Sequence, residues 1–207
     1  MSANESSTQP SKGEAAITEA PSLYTIGYGA RTLEEFVTLL RAHRIEYLID
    51  VRTAPFSKFK PEFTKELLRH HIERAGIRSL FMGDTLGGQP KDPRCHTDGK
   101  VDYDKVRAQP FFQAGFERLK KAVAQQRRVA VMCSEGRPEQ CHRSKLIGEA
   151  LTTAEVRVCH IDEEGQVLTQ QQVIDRLTKG QLDLFGQPSF TSRKRYGSME
   201  DEESQPL

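Results

Sequence analysis

The strongest constraint on this chain is an alternation of short apolar runs, each ending in charge or glycine, with segments of helical period. "LYTIGYG" (23–29), "IEYLIDVR" (45–52), "RSLFMG" (78–83), "RVAVMC" (128–133) and "VRVCHI" (156–161) read as strands. "IEYLIDVR" is continuously apolar before its charged end, which suits a strand buried on both faces of a parallel sheet. Between the runs, "RTLEEFVTLLRAHR" carries Leu33, Phe36, Val37 and Leu40 on one stripe, and Thr32 and Glu35 have capping-box spacing. Further helices are expected from Thr64 to Ala75, from Phe111 to Ala124, over "CHRSKLIGEAL" and over "TQQQVIDRL", where Thr169 and Gln172 repeat the capping box. "DTLGGQPKDPRCHTDGKVDYDKV" is expected to be a long connection. This order implies βαβ units and a Rossmann-like three-layer α/β fold, with a mostly parallel sheet and helices on both faces.

Composition sets the boundaries. Only 36% of the 207 residues are hydrophobic, and the polar residues concentrate at the two ends. Residues 1–21, rich in Ser, Glu, Gln and Pro, cannot bury enough surface to offset ordering entropy. Residues 187–207 place a basic cluster, Arg193 to Arg195, before an acidic one, Asp201 to Glu203. Two disordered tails around a single α/β domain at 22–186 are therefore expected. The chain shows no secretory h-region and no apolar run of membrane-spanning length, so a cytoplasmic location without membrane contact is expected. Nothing in the sequence specifies an oligomeric state. A net charge of +1 argues against strong non-specific binding to nucleic acid.

In open α/β sheets ligands gather at the C-terminal ends of the strands. Those ends carry Gly27 and Tyr28, then Asp50 and Arg52, then Cys133 and Glu135, and last Cys159 and His160. After Cys133 the Gly and Pro of "SEGRPEQ" mark a loop, and Cys141, His142 and Arg143 open the next helix. A helix N-terminus with Arg143 and Arg52 nearby would favour a bound anion or an acidic thiol. Cys133 is the candidate nucleophile, and Glu135 or His142 the candidate proton carriers. The competing reading is packing, with Cys133 a small buried hydrophobe, His142 a cap and the arginines partners for Asp50 and Glu135.

Spacing tests the alternatives. A tyrosine-phosphatase loop requires an arginine at the sixth residue after the cysteine, where this chain has Glu139. A rhodanese-like sulfurtransferase loop is looser, and "LIDVRTAPF" with "VAVMCSEG" is similar to it, although Pro138 lengthens the turn. Three cysteines directly precede a histidine, at 95–96, 141–142 and 159–160, and thiolate with imidazole suits zinc. Sequence neighbours seldom ligate one ion, and no CxxC or HxxxH spacing occurs, so no metal ligand is assigned and no cofactor is expected, with zinc left open as the alternative. Cys133 and Cys141 would form a redox pair if the loop folds back. In "TAPFSKFKPEF", Lys58 and Lys60 interleave with Phe56, Phe59 and Phe63, a mixture that holds phosphates and stacks on bases when the rings are exposed.

These segments together resemble the family called domain of unknown function 488. The resemblance is carried by the glycine-tyrosine turn, the "DVR" strand of Asp50, Val51 and Arg52, "LGG" at 86–88, and Cys-x-Glu-x-x-Pro-x-x-Cys-His-Arg. The last pattern falls on Cys133, Glu135, Pro138, Cys141, His142 and Arg143, and the likeness runs from about Leu23 to Leu177. It implies an α/β protein with a polar pocket and an association with nucleic acid or DNA repair. The combined expectation is an enzyme acting on a phosphate-bearing small molecule or nucleic acid. Its substrate-binding residues would be Gly27, Tyr28, Asp50, Arg52, Lys58, Lys60, Cys141 and Arg143. A non-catalytic nucleic-acid-binding module and sulfur or redox chemistry at Cys133 are the alternatives.

Overall fold

The computed structural model describes residues 23–179, 190–193 and 195. Among the described residues eight strands form, β1 at Leu23–Gly27, β2 at Tyr47–Asp50, β3 at Arg78–Phe81, β4 at His96–Thr97, β5 at Lys100–Val101, β6 at Val129–Cys133, β7 at Val158–Ile161 and β8 at Val167–Thr169. The helices are α1 at Leu33–Ala42, α2 at Lys65–Arg74, α3 at Gly83–Leu86, α4 at Tyr103–Arg107, α5 at Pro110–Ala124, α6 at Glu149–Thr153 and α7 at Gln170–Thr178. A π-helical stretch, Arg143–Gly148, runs directly into α6.

Six strands make one sheet in the order β3-β2-β6-β1-β7-β8, parallel except for β8, which pairs antiparallel with β7 at the edge. The two-residue periodicity of the strands sorts their side chains between two cores. Leu23, Val129 and Val131 face α5 and the helix at 143–153, burying Phe112, Leu119, Leu146 and Leu151. Tyr24, Ile26, Ala130 and Met132 face α1 and α2, burying Phe36, Leu40, Leu68 and Ile72. Apolar residues on both faces explain why β1 and β6 are unbroken apolar runs, and they make the fold the expected three-layer α/β sandwich. Both capping boxes form, at Thr32 with Glu35 and at Thr169 with Gln172.

Several local features differ from the sequence expectation. The long connection after β3 contains α3, the β4–β5 hairpin and α4. A further short strand, β8 at Val167–Thr169, pairs with β7 just before α7, where no strand was expected. The helix expected over "CHRSKLIGEAL" begins at Arg143 with π turns, and all six of these residues are buried. Residues 190–193, expected within a disordered tail, are packed. Phe190 is buried in the core, Ser192 exchanges hydrogen bonds with Val101, and Thr191 bridges to Asp102. The rest of both expected tails, and residues 180–186, lie outside the described residues. No helix among the described residues is long and apolar enough to cross a membrane.

Candidate functional site

The chain order of the strands reverses around β1, which has β6 on one side and β7 on the other. This is the topological switch point where such sheets leave a crevice. Register puts the ends of three strands side by side there, since Gly27 pairs with Cys133 and Asp50 with Met132. The loop after β6 then crosses the end of β1. Gly27 permits the crossing, because a Cβ at that position would lie 1.7 Å from the Glu135 carbonyl oxygen. Tyr28 N–H donates to the Cys133 carbonyl at 3.2 Å, and Gly29 N–H to that of Ser134 at 2.9 Å, which hold the loop against the β1 end.

A cavity of about 280 Å³ opens beyond these strand ends. It is lined by three segments, Arg52 to Ala54, Cys133 to Glu135 and Cys141 with His142, and by Ser192 and Arg193 among others. Arg52 is held by Asp50 through two side-chain bonds, Nε to Oδ1 at 2.9 Å and Nη2 to Oδ2 at 2.6 Å. Its guanidinium lies over the Tyr28 ring, 5.6 Å from the centroid, and Tyr28 in turn stacks on Phe63 at 4.2 Å. Among the described residues, the buried side-chain atoms without a hydrogen-bond partner are Arg52 Nη1, Glu139 Oε2, His142 Nε2, and Arg143 Nε and Nη1, and of these residues Arg52 and His142 line the cavity. Burying a polar atom unpaired costs free energy, so each keeps hydrogen-bonding capacity that the fold does not use.

Cys133 Sγ, Cys141 Sγ and His142 Nδ1 lie within 4.8 Å of one another, and the imidazole nitrogen is 3.7 Å from each sulfur. All four cysteines are free thiols. A hydrogen bond from the Cys141 thiol holds the Cys133 thiol well below the ordinary cysteine value, and His142 adds to the effect against the opposing cost of burial. Cys141 moves the other way, raised by burial and then by its neighbour Cys133. The two thiols are thus driven in opposite directions, Cys133 toward ionisation and Cys141 away from it.

The remaining sequence candidates divide. Gly27 and Tyr28 support the cavity without lining it. Arg143 is fully buried beneath the loop and donates from Nη2 to the Gly136 carbonyl at 2.6 Å. Lys60 donates to the Arg31 carbonyl and lies over Phe63, while Lys58 is exposed, and neither reaches the cavity wall. Phe63 is buried, whereas Phe56 is 70% and Phe59 91% exposed on the loop that continues from Ala54. Glu135 does not face a strand-end arginine as the packing reading had it, but meets Arg193 Nη2 at 3.5 Å. Arg193, fixed also by Gln140 at 2.7 Å, is a cavity residue that the sequence placed only in a tail. Its one sequence signal is Phe190, a large apolar residue in a polar stretch. Cys95 and Cys159 lie away from the cavity.

A mostly parallel, Rossmann-like sheet with a cysteine-histidine cavity at its switch point defines the class of α/β protein to which this chain belongs. The chain belongs to the family described as Domain of unknown function DUF488, whose sequence profile matches residues 32–150. That span contains Asp50, Arg52, Gly88, Cys133, Glu135, Cys141 and His142, and ends before Arg193. No curated protein and no solved structure matches the chain.

Proposed function

We propose that the cavity is the active site of an enzyme acting on a phosphate-bearing substrate, a nucleotide or the exposed phosphate of a nucleic acid. The observation that carries this reading is that Arg52, whose Nη1 has no hydrogen-bond partner, and Arg193 line the same cavity as Cys133. Two guanidiniums lining one concave polar site suit phosphate oxygens, which accept planar paired donors. A volume of about 280 Å³ is at the small end for ligand sites, enough for a phosphate with part of its nucleoside and far too small for a duplex. The exposed rings of Phe56 and Phe59 beside Lys58 support a nucleic-acid strand as the larger body of the substrate, with bases stacked outside the cavity.

Calorimetric titration with nucleoside diphosphates and with oligonucleotides bearing a terminal phosphate tests the reading. Saturable binding that weakens about 10-fold or more in Arg193→Ala and Arg52→Lys is expected, since a charge-assisted hydrogen bond contributes about 1.5–3 kcal/mol. Absence of saturable binding, or variants that bind like the parent, would overturn it.

The close approach of Cys133 and Cys141 favours a second reading, sulfur or redox chemistry at Cys133. Trapping a Cys133 persulfide with a sulfur donor, or a Cys133–Cys141 disulfide with a mild oxidant, would support it. Failure to trap either by mass spectrometry would remove it.

A further inference from the structure

We infer that Cys133 Sγ, Cys141 Sγ and His142 Nδ1 form a zinc site with one coordination position open to the cavity. The inference deepens the proposed function, because it names the group that would face the phosphate.

Geometry is the first argument. His142 Nδ1 stands 3.7 Å from both sulfurs. A hydrogen bond would draw the ring toward one acceptor, whereas equal separations are what ligands around a common centre show. With Zn–S near 2.3 Å and Zn–N near 2.0–2.1 Å, the S···N edge of a coordination tetrahedron is about 3.6 Å. The two observed S···N separations match that edge, and all three atoms lie within 4.8 Å of one another.

The sequence objection, that neighbours seldom ligate one ion, is met by the backbone. Cys141 is extended at φ −116° and ψ 150°, and His142 is helical at φ −63° and ψ −20°. The change of conformation breaks the alternation that would otherwise send adjacent side chains to opposite faces. Gly88 then pins the ring, since a Cβ there would lie 2.4 Å from His142 Cγ. Cys141 Sγ also accepts from the Arg143 N–H at 3.5 Å, the kind of outer contact that orients a metal thiolate.

Chemistry is the second argument. Two thiolates and one imidazole suit zinc, and a three-ligand set leaves a fourth position for water or substrate. All three residues line the same cavity as Arg52 and Arg193. Ionised thiols alone would repel an anionic phosphate. A divalent cation bound there would neutralise the two thiolates, leave the arginines to set a positive field, and polarise a phosphoryl oxygen.

The test is zinc content of the full chain by mass spectrometry, with cobalt substitution as the spectroscopic probe. One zinc per chain and sulfur-to-cobalt charge-transfer bands are expected. Cys141→Ser and His142→Gln should each weaken zinc affinity by at least about 100-fold, while Cys95→Ser and Cys159→Ser leave it unchanged. Because ligand variants can misfold, alkylation of the parent chain provides a second readout, with zinc expected to protect Cys133 and Cys141 from iodoacetamide. A chain that takes up no zinc, or gains no protection, would overturn the inference. Nucleotide binding by a chain that takes up no zinc would overturn this inference and leave the proposed function standing. Stoichiometric zinc with no nucleotide bound would support the inference and remove the phosphate reading.

Discussion

Asp50 and Arg52 form a two-point ion pair at the C-terminal end of β2, and both side chains are almost fully buried. The pair fixes the guanidinium of a cavity-lining residue, and Asp50 Oδ1 also accepts from the Arg52 backbone N–H at 3.0 Å. Removing one partner leaves an uncompensated buried charge, which costs about 3–5 kcal/mol. Asp50→Ala should therefore lower unfolding stability by about that amount in urea titrations. The double variant Asp50→Ala/Arg52→Met should recover part of the loss, and a strictly additive loss would contradict the pairing.

Gly88→Ala addresses the contact between Gly88 and His142, both of which line the cavity. The added methyl would meet His142 Cβ at 2.7 Å and Cγ at 2.4 Å, atoms too near the backbone to swing away. Overpacking of this kind costs about 1–3 kcal/mol. A melting temperature lowered by several degrees is expected, with near-native circular dichroism and a larger proportional loss of ligand binding. Parent-like binding would show that the imidazole position is not critical.

Phe59, 91% exposed, contributes nothing to the core, so Phe59→Ala should leave the melting temperature unchanged. If bases stack on this loop, the same change should weaken a single-stranded oligonucleotide by about 5- to 100-fold, from about 1–3 kcal/mol per stacked base. Mononucleotide affinity should be unaffected. Fluorescence anisotropy separates the two ligands.

His160 gives the fold an acid sensitivity away from the cavity. Its Nδ1 accepts from Thr25 Oγ1 at 2.7 Å, and its Nε2–H donates to Gln170 Oε1 at 2.7 Å. Burial, then the charge of Arg143, pushes its pKa down from 6.5 to about 3. The unfolded chain thus takes up a proton as pH falls below 6.5 while the folded chain does not. Stability is lost through that window at about 1.4 kcal/mol per pH unit. His160→Gln should flatten the stability profile between pH 6 and pH 4 by about one proton, measured by denaturant titration at each pH. An unchanged slope would contradict the buried neutral state.

Legibility in the sequence followed the range of the interactions. β1, β2, β6 and the capping boxes at Thr32 and Thr169 are set by neighbours a few residues apart, and all were readable. β8 and the β4–β5 hairpin are strands of two or three residues, defined by their partners and carrying too little period to detect. At the site, the strand-end rule located Arg52, Cys133 and Glu135, whereas Arg193 enters only because Phe190 anchors its segment in the core. Lys60 and Arg143 were placed on the site by charge and motif, and the backbone carbonyls of Arg31 and Gly136 hold them elsewhere. Charge in a sequence says which groups can meet an anion, and packing decides which of them do.

The most direct measurement is turnover of terminally phosphorylated oligonucleotides and nucleoside diphosphates by the full chain, followed by release of phosphate, with Cys133→Ser alongside. Release by the parent chain and its loss in a folded Cys133→Ser variant is the expected result. No release from any of these substrates, or a Cys133→Ser variant as active as the parent, would contradict an active site at this cavity.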